Sequence, residues 1–182
     1  ARRQRQMCIR DRHNNVHKKF QKYPKSQISS FTFFGGAYQK EPVDQWIGSD
    51  RSNFEKYLNS KSHVCLFSSI YGIKSPDQRI YQDGFIKPLE YSASKSSILC
   101  MTKHFAITSA LKNKGRCNCL VLGGIANTSQ TQEFQKKYIK KVPLERMANI
   151  EDVVNAYSFL SSSKASYITG IQLVIDGGYS AW

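Results

Sequence analysis

The sequence predicts an α/β fold organised on a doubly wound parallel sheet, and three stretches carry that prediction. Cys65-Leu66-Phe67 is a short apolar run ending in Ser68 and Ser69, as a buried strand would. Residues 91 to 111 contain neither Gly nor Pro and set Ile98, Met101 and Phe105 at helical spacing. Arg116 to Leu122 is a second strand run, closed by Gly123-Gly124. A strand, a long helix and a strand in that order fit a parallel α/β sheet.

In open α/β sheets ligands bind beyond the carboxyl ends of the strands, which is where Ser68 and Ser69 fall. Tyr91 and Lys95 are four residues apart and share one helix face. An ammonium beside a phenol favours the phenolate. Lowering a tyrosine from its usual ~10 by ~3 units takes ~4 kcal/mol of differential stabilisation and yields an acid/base usable near neutral pH. A strand-end serine hydroxyl would hydrogen-bond the same substrate oxygen. With ten Tyr and 18 Lys in 182 residues, one such pair is expected by chance, and Tyr57 with Lys61 repeats the spacing. Only Tyr91 lies between a strand ending in Ser-Ser and a strand ending in Gly-Gly.

Composition is globular, 40% hydrophobic with 12% aromatic residues. No run approaches the ~20 apolar residues of a membrane span, and no signal peptide is apparent. Five cysteines without paired spacing fit reduced thiols in a cytoplasm. Cys117 and Cys119 would face the same way on a strand, but no second Cys or His pair has ligand spacing, so no metal is expected. The formal charge of +14 raises nucleic acid as a partner. Residues 1–12 (Ala-Arg-Arg-Gln-Arg-Gln-Met-Cys-Ile-Arg-Asp-Arg) look like a translated sequencing adaptor, and without their five Arg and one Asp the charge is +10. The remaining lysines are spread as on a solvated surface, so no nucleic-acid role is expected.

The other elements follow in order. Residues 73–90, with Lys74, Asp77, Arg79, Tyr81, Asp83 and Lys87, form a long aperiodic connection. Two readings stand for it: groups for an anionic substrate such as a nucleotide sugar, or a mobile surface loop. Gly115 ends the long helix as a C′ glycine would. Asn149 before Glu151-Asp152 is an N-cap with acids in the first turn, and Val153, Val154, Tyr157 and Leu160 make the apolar face of that helix. Residues 171–175 read as a last strand.

These motifs together resemble the short-chain dehydrogenase/reductase family over roughly residues 65–182. Ser69-Ile-Tyr-Gly72 resembles its catalytic-serine turn, Tyr91 to Lys95 its active-site helix start, and Gly123-Gly124-Ile125 the loop that closes over the nicotinamide. Val142-Pro-Leu-Glu-Arg146 and Tyr167-Ile-Thr-Gly170 through Asp176-Gly-Gly178 resemble its C-terminal signature. The spacer before Tyr91 and the ending at Trp182 resemble members linked to flagellin modification and sialic-acid-like sugar biosynthesis. The resemblance implies a Rossmann-like fold with NAD or NADP as cofactor. It implies Ser69, Tyr91 and Lys95 as catalytic residues, with Tyr91 and Lys95 also holding the cofactor. Gly124, Ile125 and either Thr128 or Asn127 would complete the cofactor site, with the Ile125 backbone meeting the carboxamide. The substrate would be a small molecule, an alcohol/carbonyl pair on a sugar or nucleotide sugar. The full-length protein would be a homodimer or homotetramer, and residues 128–141 would be a variable lid.

The family's Asn-Asn-Ala motif is matched only by Asn14-Asn15, 54 residues before Ser69, which places Asn15 at the cofactor or in a solvated loop. Phe31 to Tyr38 is aromatic and would begin a helix on the family pattern, interrupted by Pro42. Neither Asn53 nor the register through Gly35-Gly36-Ala37 supplies a convincing catalytic Asn. No Gly-rich turn after a first strand is present, so residues 13–182 read as a partial domain, N-terminally truncated. A sheet lacking its first strands would expose apolar faces and edges. That leaves a non-catalytic fragment retaining the oligomerisation surface as the alternative to an enzyme.

Overall fold

The computed structural model describes residues 30–34, 63–82 and 84–182. Strands β1 (Ser30–Phe34), β2 (His63–Ser69), β3 (Arg116–Leu122) and β4 (Gln172–Ile175) lie side by side in chain order. Every pairing is parallel. Helix α1 (Leu89–Asn113) crosses from β2 to β3, and α2 (Gln132–Ile139) and α3 (Ile150–Ser161) lie between β3 and β4.

Alternation along the strands decides the layering. Val64, Leu66, Cys117, Cys119 and Val121 pack with Ile98, Leu99 and Ala106 of α1. Their sequence neighbours Cys65, Phe67 and Leu120 turn to the other face and pack with Val153, Tyr157 and Leu160 of α3. The sheet is therefore covered on both faces, which is why β2 is buried along its whole length. Each fully buried Leu or Val contributes roughly 1.5–3 kcal/mol of transfer free energy. The doubly wound parallel sheet predicted from the sequence is the one observed. Asn15, Asn53 and the Tyr57–Lys61 pair lie outside the described residues.

Two local readings are corrected. Ser30–Phe34 is a strand, where the aromatic run suggested a helix start. Aromatic and β-branched residues suit a pleated surface, and β2 offers β1 a full row of parallel partners from Ser30↔His63 to Phe34↔Phe67. At the end of α1 the left-handed position is held by Lys114 (φ 58°), one residue before Gly115. The Lys114 N–H meets the Ala110 carbonyl and the Gly115 N–H reaches back to the Ser109 carbonyl, both at 3.2 Å. The Asn149 cap is a full capping box, its side chain accepting from the Asp152 N–H while Asp152 accepts from the Asn149 N–H. Arg146 grips the same Asp152 carboxylate through both terminal nitrogens, at 2.7 and 3.0 Å.

The amino ends of β2 and β3 are locked by a buried polar group. Asn118 Oδ1 accepts from the Ile171 N–H at 3.2 Å, which leaves Nδ2 to donate to the Ile168 carbonyl (3.0 Å) and to His63 Nε2 (3.1 Å). Nε2 is then an acceptor, so Nδ1 carries the proton and faces Ser161 Oγ at 3.3 Å. Burial first, and the Arg116 charge second, lower His63 to about 3. Because the unfolded chain takes up that proton at ~6.5 and the folded chain does not, stability is full above 6.5 and falls as pH drops toward 3, by up to ~1.4 kcal/mol per unit. Denaturant midpoints measured between pH 7 and 5, above the carboxylate range, should fall for the wild type and flatten for His63→Leu. Equal slopes for the two proteins would refute the role assigned to His63.

Candidate active site

The site forms where β2 runs out. Ser69, the last residue of β2, caps the turn Ile70–Gly72, its Oγ accepting from the Tyr71 N–H at 3.2 Å. Ser68 donates its hydroxyl to the Lys95 carbonyl at 2.7 Å, and Ser96 donates to the Gly72 carbonyl at 2.8 Å. Between these two bonds the Gly72 backbone touches α1: a Cβ there would sit 2.8 Å from the Lys95 carbonyl carbon and 2.9 Å from its oxygen. Strand end and helix start are thus pinned together by two hydroxyls and one missing side chain.

That joint positions the titratable groups. Lys95 is 9% exposed and its Nζ reaches the Phe67 carbonyl at 3.5 Å. Burial lowers its ammonium to about 8; the adjacent Cys119 opposes the shift and the charge of Lys87 adds to it. Tyr91, one turn earlier, is half-buried, with the Lys95 ammonium 5.8 Å from its ring centroid. The edge of the Tyr71 ring meets the Tyr91 ring at 6.3 Å and 73°. Tyr71 therefore links the predicted pair, its backbone to Ser69 and its ring to Tyr91. Its own phenol accepts from Tyr81 Oη at 3.0 Å, and burial pushes it far above the usual tyrosine range. Burial likewise raises Tyr81, to about 12.

The loop after β3 is the second half of the site. Gly124 is closely embraced: its N–H donates to Tyr138 Oη at 2.5 Å, its carbonyl accepts from the Ala148 N–H at 2.9 Å, and a Cβ would lie 2.7 Å from the Tyr138 ring. The close backbone approach at this glycine is made to Tyr138. Ile125 pairs with Ala148 in a parallel bridge, and its carbonyl accepts from Gln130 Nε2 at 3.1 Å. Thr128 is exposed, whereas the amide nitrogen of Asn127 is buried with no hydrogen-bond partner among the described residues. An orphaned buried donor costs about 1–3 kcal/mol, so the Asn127 amide nitrogen has hydrogen-bonding capacity that an acceptor would satisfy. That donor, with the buried ammonium of Lys95, fits a cofactor bearing hydroxyl and phosphate oxygens.

The 73–90 connection is tied to the body. Asp77 binds the Arg79 guanidinium at 2.9 and 2.8 Å and the Lys141 ammonium at 2.5 Å, which hold its carboxyl well below the usual range. Ile80 is buried, and the Lys87 N–H donates to Gln78 Oε1 at 2.8 Å. Residues 132–139, expected in a lid, form α2, capped by Thr131. Sequence reasoning did not anticipate the aromatic chain Tyr81, Phe134, Tyr138 and Tyr179, whose rings lie 4.9–5.9 Å apart in succession. Its members come from three separated segments without a shared period.

Comparison with known proteins places this arrangement. Residues 78–180 match the family model described as "Enoyl-(Acyl carrier protein) reductase". The chain is 40% identical over 94 residues to a 3-oxoacyl-[acyl-carrier-protein] reductase FabG of Buchnera aphidicola, covering 50% of this chain and 38% of that protein. It is 36% identical over 99 residues to glucose 1-dehydrogenase 2 of Bacillus subtilis, covering 52% of this chain and 38% of that protein. A solved short chain dehydrogenase from Leptospira borgpetersenii with bound NAD+ superposes with a TM-score of 0.69 and 28% identity, over 94% of this chain and 70% of that one. The fold is that of a Rossmann-like α/β domain. Within that class the chain belongs to the short-chain dehydrogenase/reductase family, and it spans less than half the length of these two curated relatives.

Gly72→Ala tests the joint. The added methyl would press on the Lys95 backbone at 2.8 Å and on Ser68 Oγ at 3.1 Å, so a loss of about 1–3 kcal/mol is expected from denaturant unfolding. An unchanged midpoint would show that β2 and α1 are not held at this distance.

Proposed function

We propose that this chain carries the acid/base machinery of a nicotinamide-dependent interconversion of an alcohol and a carbonyl. The observation that supports this best is the buried Lys95 ammonium one helical turn from Tyr91, at the carboxyl end of a parallel strand that finishes in Ser69. Tyr91 donates a proton to the carbonyl oxygen in reduction and accepts it in oxidation. Lys95 supplies the positive charge that stabilises the phenolate and a donor for cofactor hydroxyls. Ser69 orients the reacting oxygen. NAD or NADP, when bound, supplies the hydride chemistry, with Asn127 or Thr128, the Ile125 backbone, Gly124 and Asn15 as its proposed contacts.

Our reading of the substrate is a sugar or nucleotide sugar. It draws on the sequence resemblance and on a relative named for glucose, while another relative is named for an acyl-carrier substrate. We assign the protein to the cytoplasm, and among the described residues no helix is long and apolar enough to cross a membrane. Self-association is part of the proposal: Ile107 and Leu111, four apart on α1, are 63% and 76% exposed.

Hydride transfer, followed as NAD(P)H absorbance with candidate sugars, tests the reading. Tyr91→Phe should cost about 10²–10⁴-fold in turnover. In the carbonyl-reducing direction kcat/KM should decline as pH rises through about 8, where Lys95 loses its proton. Turnover unaffected by Tyr91→Phe would exclude the mechanism.

A further inference from the structure

We infer that Lys87 is a positioning residue for Tyr91: a second cation, delivered from the loop before α1, that sits on the phenol ring and favours its ionised form alongside Lys95. The inference rests on the acid/base role proposed for Tyr91. Its basis is geometric. The Lys87 ammonium lies 4.2 Å from the Tyr91 ring centroid, nearer than the 5.8 Å of Lys95. The same ammonium is 5.8 Å from the Tyr81 ring.

The placement is built in. Pro88 follows Lys87 and caps α1 in an extended conformation, fixing where the helix and its lysine start. The Lys87 N–H is held by Gln78 Oε1, and the turn that carries Gln78 is anchored by buried Ile80 and by the bond from Asp77 to Lys141. In sequence Lys87 and Lys95 flank Tyr91 at four residues on either side, one from the loop and one from the helix.

A cation over a ring face is attracted to the neutral ring and more strongly to a phenolate, whose negative charge spreads into the ring. Among the described residues, the titratable groups around Tyr91 include Lys87 from the loop, Lys95 from its own helix, Tyr71 from the turn after β2, and Tyr81. Burial keeps the Tyr71 and Tyr81 phenols neutral through the working range, so they add no charge there. The two ammoniums sense each other, since the Lys87 charge contributes to lowering Lys95.

The test reads Tyr91 ionisation directly and needs no turnover. Tyrosinate absorbance of the chain is recorded against pH, with the Tyr91→Phe variant subtracted. Lys87→Met should raise the Tyr91 midpoint by about 0.5–1 unit, as expected for losing one ring-face cation. Lys87→Gln should do the same, and Lys87→Arg should restore the wild-type midpoint. A midpoint unmoved in both neutral variants, or moved equally by Lys87→Arg, overturns the inference. Absence of hydride transfer with the midpoint still shifted would count against the proposed activity alone and leave the Lys87–Tyr91 coupling standing.

Discussion

The hydrogen bond from the Ser68 hydroxyl to the Lys95 carbonyl is the constraint on which the site depends. A strand end and a helix start are normally joined by loops that tolerate several ångströms of play. Here the connection from Gly72 to Leu89 is long, and the two elements are nevertheless registered by side chains across it. Ser68 and Ser96 each tie one element to a backbone carbonyl of the other, and Gly72 lets the main chains touch. Ser69 and the Tyr91–Lys95 pair thus belong to two elements held in fixed register. A net hydrogen-bond contribution near ~1 kcal/mol is modest, but loss of either bond would free the angle at which Tyr91 meets the strand end.

Burial and charge work against each other at this joint. Desolvation disfavours the Lys95 ammonium, and the Phe67 carbonyl offers it a partner at the long distance of 3.5 Å. Desolvation wins, lowering the Lys95 ammonium to about 8. Tyr71 and Tyr81, in the same surroundings, are pushed the other way and stay neutral. One low-dielectric environment thus keeps two phenols as hydrogen-bonding spacers, while Tyr91, half-buried, is the phenol whose ring faces two ammoniums.

Much of this was legible in the sequence where the signal was local. The Gly- and Pro-free stretch after Tyr91, the apolar runs of β2 and β3 and the Asn149 cap each carry their own periodicity or end signal, and each was read correctly. What failed lacked such a signal. Phe31–Phe34 has no helical or strand period, and its strand state is set by β2, 33 residues on. Gly115 advertised the helix end, but the left-handed position fell on Lys114. Two contacts of the 73–90 connection, Asp77 with Lys141 and Tyr81 with Phe134, span more than fifty residues and leave no local signal to read. That the Asn127 amide nitrogen is buried without a hydrogen-bond partner among the described residues is likewise a property no spacing reveals.

The most direct test of the account is the titration of Lys95 itself, followed by NMR of lysine labelled at its side-chain carbon and assigned with Lys95→Met. An ammonium held in the β2–α1 joint should titrate at about 8. A midpoint at the ordinary lysine value of ~10.4 would mean that Lys95 is solvated, that the joint is open, and that the site described here does not form.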